Sequence, residues 1–122
     1  GGAACATNQI YYSLGERGAD FDLRPWQRDR ALPTMAYSPI DQGSLAVHGA
    51  LATLARPLGL SAAQLALAWL LHQGEHIVSI PGTTKRARFD ENQVANDVVL
   101  TAEELAFLDE NLPVGAAVGG RY

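Results

Sequence analysis

The sequence predicts an α/β fold built on a parallel β-sheet. Three short segments of strand-forming composition alternate with helix-forming segments, and one further helix follows the last of them. This alternation is typical of βαβ units, in which a crossover helix joins successive parallel strands. The third strand segment, residues 76–80, is mainly apolar, as expected for a strand buried on both faces.

The first part of the chain predicts two strands with a helix between them. Residues 6–13 are rich in strand-forming side chains, and residues 34–38 form the second such segment. Between them, residues 20–30 are expected to form a helix with Asp20 as its N-cap. Its apolar face is expected to consist of Phe21, Leu23 and Trp26.

The middle of the chain contains the clearest helix. Residues 45–58 are expected to be partly helical, because a glycine and a proline interrupt them. Residues 61–73 follow with a broad apolar face. Ser61 and Gln64 have the spacing of a capping box, and Gly74 is the expected C-cap.

The last part of the chain predicts a strand and two helices. A Pro-Gly turn follows the strand at residues 76–80, and a helix is expected over residues 85–96. Thr101 and Glu104 form a second capping box, which opens a final helix that ends near residue 111.

Three parallel strands leave two open sheet edges, which favours a larger closed assembly. A (β/α)₈ barrel removes such edges but typically needs about 250 residues, and this chain has 122. The chain also opens on Gly1 rather than Met, which suggests a cut chain; a processed N-terminus is the alternative. We therefore expect self-association, pairing with a missing N-terminal half, or aggregation.

Composition excludes several functional classes. The net charge is −4 and most basic residues are scattered, which argues against a nucleic-acid surface. No apolar run is long enough for a membrane span, and no signal-peptide pattern is visible, so we expect a cytoplasmic protein without membrane partners. Cys5 is the single cysteine, and the histidines lack metal-ligand spacing, so no disulfide or metal site is expected.

The segment of residues 80–92 carries the strongest functional signal. A strand ends in a Pro-Gly turn and a helix begins directly after it, so backbone N–H groups there can bind an anion. Thr83 and Thr84 add hydroxyl donors. Three cations, Lys85, Arg86 and Arg88, lie at the start of this helix, where positive charge is electrostatically unfavourable because it opposes the helix dipole. A bound phosphate monoester would offset this unfavourable energy.

A second interpretation of the same segment is a solvated basic helix start that is paired with Asp90 and Glu91. The spacing alone leaves the two interpretations open.

Residues 80–92 resemble the last strand-to-helix turn of aldo-keto reductases, which holds the adenosine 2′-phosphate of NADP. The resemblance implies that Thr83 contacts this phosphate and that Arg88 binds the phosphate or stacks on adenine. Glu91 and Asn92 would hydrogen-bond the adenine edge.

One departure from the family pattern affects the phosphate grip. Many relatives have a lysine at the position of Gly82, so the grip here is expected to pass to Lys85 or Arg86. The cofactor residues that the resemblance implies in this segment are Gly82, Thr83, Thr84, Lys85, Arg88, Glu91 and Asn92.

Two further segments resemble the same family. Residues 35–43 are similar to its seventh barrel strand and loop, which implies that Tyr37 stacks on nicotinamide and that the pyrophosphate is lined by Ser38, Ile40 and Gln42. Residues 7–12 resemble the sixth strand, where Gln9 would bond the nicotinamide carboxamide, with Asn8 beside it. Without the resemblance, Tyr37 is a core aromatic and Gln9 an interior polar residue bonded to a neighbouring strand.

The resemblance implies the C-terminal part of a (β/α)₈ TIM barrel over residues 1–112. Residues 113–122 are rich in Gly and Ala, so a flexible tail is expected there. It also implies an oxidoreductase that reduces aldehydes or ketones by hydride transfer from NADPH. The family's catalytic Tyr, Lys, Asp and His come from the first four strands, and nothing here matches them. We therefore expect no catalytic residues and no activity in this chain alone; the alternative is a non-catalytic nucleotide-binding or structural subunit.

Overall fold

A computed structural model describes residues 4–112. Its sheet has three parallel strands, β1 (Asn8–Tyr11), β2 (Thr34–Tyr37) and β3 (Ile77–Ser79), in the order β1-β2-β3. The predicted parallel α/β topology is confirmed, although each strand is shorter than predicted. The predicted flexible tail at 113–122 lies outside the described residues.

The strand register gives the sheet two different faces. Asn8 pairs with Thr34, and Thr34 pairs with Ile77, so these residues share one face with Ala36. Ala36 and Ile77 belong to the buried core. The opposite face, which we call the open face, carries Gln9, Tyr11, Met35, Tyr37 and Val78.

The expectation that the third strand is buried on both faces is wrong for the described residues. Ile77 is buried against the core, but Val78 is 46% exposed. Side chains alternate between the two faces of a strand, so Val78 lies on the open face. No layer of residues 4–112 covers that face in the way the helices cover Ile77.

Residues 4–112 contain five α-helices, which are α1 (Leu23–Arg28), α2 (Gly49–Ala55), α3 (Ala62–Leu71), α4 (Arg86–Gln93) and α5 (Ala102–Asn111). Short 3₁₀ turns flank α2 at Leu45–Val47 and Arg56–Leu58, and α4 continues as a 3₁₀ turn over Val94–Asp97. No single described helix is long and apolar enough to cross a membrane. The two helical segments Gly49–Leu58 and Ala62–Leu71 reach that length and apolar composition only when taken together, and an 88° bend separates them.

Helix α3 is the centre of the core, since most of its side chains are buried. Both predicted capping boxes are present, at Ser61 for α3 and at Thr101 for α5. Gly74 is not the C-cap, because α3 already ends with His72 in that position. The His72 ring lies 2.7 Å from the Ala68 carbonyl oxygen, which also accepts the His72 backbone N–H at 3.1 Å.

The first helix differs from its prediction. Its N-cap is Asp22, whose carboxylate accepts the Leu23 N–H, and not Asp20, which lies in a preceding 3₁₀ turn. The expected apolar face is also wrong, because Phe21 is 76% exposed and Trp26 is 45% exposed.

Asp20 is unavailable as a cap because its carboxylate has other partners. It accepts the Tyr12 hydroxyl at 2.8 Å and a guanidinium N–H from Arg24 at 2.6 Å. Its second oxygen accepts from Arg17 at 3.0 Å, and Arg17 also pairs with Asp109 on α5 at 2.8 Å. Burial raises the pKa of the Tyr12 phenol well above its usual value.

Trp69 on α3 completes this Asp20 cluster. Its ring is fully buried, lies 6.0 Å from the Tyr12 ring, and has the Arg17 guanidinium 5.0 Å from its centroid. Its indole N–H donates to Asp109 at 3.3 Å. The cluster therefore joins the end of β1 to α1, α3 and α5.

We predict that Asp20→Asn lowers the free energy of unfolding by about 2–3 kcal/mol, because two guanidinium groups lose a largely buried anion. Asp22→Asn is the matched control, since Asn caps a helix as well as Asp does. Urea unfolding of both variants measures the difference. Equal stability losses would contradict a structural role for the Asp20 cluster.

A second prediction concerns the sheet edges. Within residues 4–112, β1 and β3 pair only with β2, so each leaves one edge without a strand. We expect the purified chain to self-associate through these edges and the open face. Light scattering measures this, and a stable monomer across a wide concentration range would refute it.

Candidate functional site

A cleft of about 620 Å³ opens where β2 and β3 end. Carboxyl ends of adjacent parallel strands lie at the same edge of a sheet, and ligands of α/β proteins bind there. The cleft is lined by Ser38, Pro39, Ile40, Gln42, Gly43, Ala46, Ala63, Pro81, Gly82, Thr83, Arg88 and Asn92.

The loop after β2 forms one wall of the cleft in an unusual backbone conformation. Ser38, Asp41 and Gln42 have φ values of 50°, 49° and 53°, and Gly43 follows at 96°. Glycine adopts positive φ freely, whereas other residues there cost on the order of 1 kcal/mol each. This loop therefore needs contacts that hold it in place.

The Asp41 carboxylate ties the loop to the sheet. It accepts hydrogen bonds from the hydroxyls of Tyr11, at the end of β1, and of Ser44. Backbone bonds tighten the same turn: the Asp41 N–H donates to the Ser38 carbonyl at 2.9 Å, and the Ser44 N–H donates to the Asp41 carbonyl at 3.0 Å.

The turn after β3 forms the opposite wall. The Ile80 N–H donates to the Ala36 carbonyl at 3.2 Å, so this turn leaves the sheet beside the loop after β2. The Thr83 hydroxyl accepts the Lys85 N–H at 3.1 Å. Helix α4 begins directly afterwards, and its first turn carries no acidic residue.

The start of α3 lies beneath both walls. Ala63, in the first turn of α3, is buried and lines the cleft. The Gln64 side chain accepts the Ser61 N–H at 2.8 Å through its oxygen and donates to the Glu91 carbonyl at 3.0 Å through its nitrogen. One carboxamide therefore caps α3 and fixes the position of α4.

Two arginines of α4 are paired with acidic residues of the same helix. Arg86 contacts Asp90 and Arg88 contacts Glu91, each at 3.0 Å. This is the pairing that the second interpretation of the sequence predicted. Exposed pairs of this kind contribute only about 0.2–1 kcal/mol. The Arg88 side chain is 62% exposed, so an anion in the cleft can compete for it.

The structure brings some of the predicted cofactor residues together and leaves others apart. The cleft contains Ser38, Ile40, Gln42, Gly82, Thr83, Arg88 and Asn92. The predicted residues that do not line it are Asn8, Gln9, Tyr37, Thr84, Lys85 and Glu91.

The predicted residues outside the cleft occupy distinct places. Gln9 and Tyr37 lie on the open face, where the Tyr37 ring stacks on that of Tyr11 with centroids 5.6 Å apart. Asn8 lies on the opposite, helix-covered face. Thr84 and Lys85 are exposed before α4.

Sequence reasoning missed cleft residues that are small or apolar. They are Pro39, Gly43, Ala46, Ala63 and Pro81. Pro39 and Pro81 each adjoin a predicted residue and could have been found by proximity. Ala46 and Ala63 carry no chemical signal, and only the packing of α3 places them here.

No group of three or more His, Cys, Asp or Glu in residues 4–112 could hold a metal ion.

The sequence matches the model of the Aldo/keto reductase family over residues 1–112. The chain belongs to the aldo-keto reductase family. It is 40% identical to methylglyoxal reductase YeaE of Escherichia coli (strain K12) over 119 residues, which covers 93% of this chain and 41% of that protein. It is 31% identical to probable aldo-keto reductase 1 of Glycine max, covering 93% and 42%.

Solved structures agree on the fold of this aldo-keto reductase chain. A crystal structure of an aldo-keto reductase from Klebsiella pneumoniae in complex with NADPH superposes with a TM-score of 0.85 at 37% identity, covering 93% of this chain and 41% of that one. The three strands and their helices are therefore part of a (β/α)₈ barrel. The chain spans about two-fifths of the length of the relatives it matches.

Proposed function

We propose that this chain forms the NADP-binding part of an oxidoreductase that reduces aldehydes or ketones with NADPH. The observation that carries the proposal is the cleft itself. Two segments that each resemble a cofactor-binding segment of the family, 35–43 and 80–92, form its opposite walls. The NADPH complex of the Klebsiella pneumoniae relative supports the same cofactor.

The α4 wall fits the adenosine 2′-phosphate. Arg88 offers a guanidinium, Thr83 offers a hydroxyl, and the start of α4 offers backbone N–H groups, all of which suit a phosphate. The ion pair between Arg88 and Glu91 is exposed and weak, so a dianionic phosphate competes well with the single carboxylate. In this proposal Glu91 then turns to the adenine edge with Asn92.

The opposite wall suits the rest of the cofactor. Ser38, Ile40 and Gln42 would line the pyrophosphate, and Tyr37 would offer its ring to nicotinamide. Gln9 lies on the same sheet face as Tyr37, where its amide can orient the nicotinamide carboxamide. Bound NADPH supplies the hydride.

The chain lacks residues that match the family's catalytic set, so we propose that it does not reduce carbonyls by itself. Its 40% identity to a methylglyoxal reductase supports carbonyl reduction as the reaction class of the whole enzyme. A non-catalytic nucleotide-binding or structural subunit is the second candidate. The lone Lys85, placed at the start of α4, favours either candidate over an independent reductase.

We predict that Arg88→Ala weakens NADPH binding by about 10- to 100-fold and barely changes NADH binding, because only NADPH has the 2′-phosphate. Fluorescence titration measures both affinities. Arg56→Ala is the matched control, since this exposed arginine lies outside the cleft. Equal losses for NADPH and NADH would refute the 2′-phosphate role of Arg88.

We predict no oxidation of NADPH when the purified 122-residue chain is mixed with a generic aldehyde. Absorbance at the NADPH band measures the reaction, and a full-length relative serves as the positive control. Steady turnover by the pure chain would overturn the proposed lack of catalysis. NADPH binding without turnover fits a cofactor-binding part, whereas absence of binding favours a structural subunit.

A further inference from the structure

Tyr11 and Asp41 have no role in the contacts assigned to the cofactor, yet they connect the two regions that bind it. The Tyr11 ring stacks on Tyr37, with centroids 5.6 Å apart and an angle of 20° between the rings. The Tyr11 hydroxyl donates to the Asp41 carboxylate. One side chain therefore contacts both the proposed nicotinamide platform and the loop that lines the cleft.

Asp41 lies in the part of the loop with the least favourable backbone. It has positive φ itself, and Gln42 follows in the same conformation. Asp tolerates this region better than most side chains but does not prefer it. The loop conformation thus depends on the hydrogen bonds that the Asp41 carboxylate accepts from Tyr11 and Ser44.

Tyr11 is well placed to supply that support because it is itself fixed. It is the last residue of β1 and pairs in register with Tyr37 of β2. Its ring has an aromatic neighbour on one side, which limits its rotation. The hydrogen bond to Asp41 therefore anchors the loop to the sheet rather than to another loop.

We propose that Tyr11 and Asp41 are positioning residues for the cofactor. Tyr11 holds the ring of Tyr37 flat and, through Asp41, holds the loop after β2 in the conformation that leaves Ser38, Ile40 and Gln42 on the cleft wall. This inference rests on the proposed function. It adds that the part of the site that binds the pyrophosphate and the nicotinamide is already formed before the cofactor binds. Neither residue has to touch the cofactor.

The test compares two ligands that use different parts of the cleft. NADPH occupies the whole proposed site, whereas adenosine 2′,5′-bisphosphate needs only the wall formed by α4. Tyr11→Phe keeps the ring and removes the hydroxyl, and we expect it to weaken NADPH binding about tenfold without changing the affinity for the bisphosphate. A merely destabilised chain would lose affinity for both ligands.

A double-mutant cycle tests whether the two residues act through one hydrogen bond. Asp41→Ala should weaken NADPH binding at least as much as Tyr11→Phe does. Adding Tyr11→Phe to Asp41→Ala should then have little further effect, because the bond is already lost. Asp41→Asn, which keeps an acceptor and tolerates positive φ, should retain most of the affinity.

Tyr12→Phe is the matched control, since Tyr12 adjoins Tyr11 but bonds the distant Asp20 cluster. It should lower stability without changing the ratio of the two affinities. Unchanged NADPH affinity in Tyr11→Phe, or fully additive losses in the cycle, would overturn this inference alone. Failure of the wild-type chain to bind either ligand would overturn the proposed function and this inference with it.

Discussion

Parallel pairing on both sides of β2 is the constraint on which the rest of the structure depends. Ala36 pairs with Ile10 on one side and with Ser79 on the other, and its carbonyl accepts the Ile80 N–H. This arrangement places the carboxyl ends of β2 and β3, which are separated by some 40 residues of sequence, side by side. The cleft exists because the turns that follow these two strands begin next to each other.

The features that sequence predicted well are those decided by near neighbours. A capping box involves residues three positions apart, so Ser61 with Gln64 and Thr101 with Glu104 were sufficient to place the starts of α3 and α5. The alternation of strands and helices is also visible in short segments of the sequence, and it predicted the parallel topology. The resemblance added which turns meet at the cleft, although the role of each site residue stays a prediction.

The features that sequence could not predict are decided by distant partners. Asp20 has the composition of an N-cap, but Tyr12, Arg17 and Arg24 compete for its carboxylate, and Arg17 is in turn held by Asp109, 92 residues away. The same cluster includes the fully buried Trp69, whereas Trp26 is 45% exposed. Local propensity contains no information about such contacts.

The Gln64 side chain shows how a distant contact restricts which residue a capping box can use. A capping box accepts Glu or Gln, and α5 uses Glu104. At position 64 a carboxylate would keep the bond to the Ser61 N–H but would place negative charge against the Glu91 carbonyl, where the amide now donates. An exchange that sequence comparison treats as conservative would therefore push the α4 wall away from the floor of the cleft. The choice of amide over acid at this one site sets how closely two helices approach.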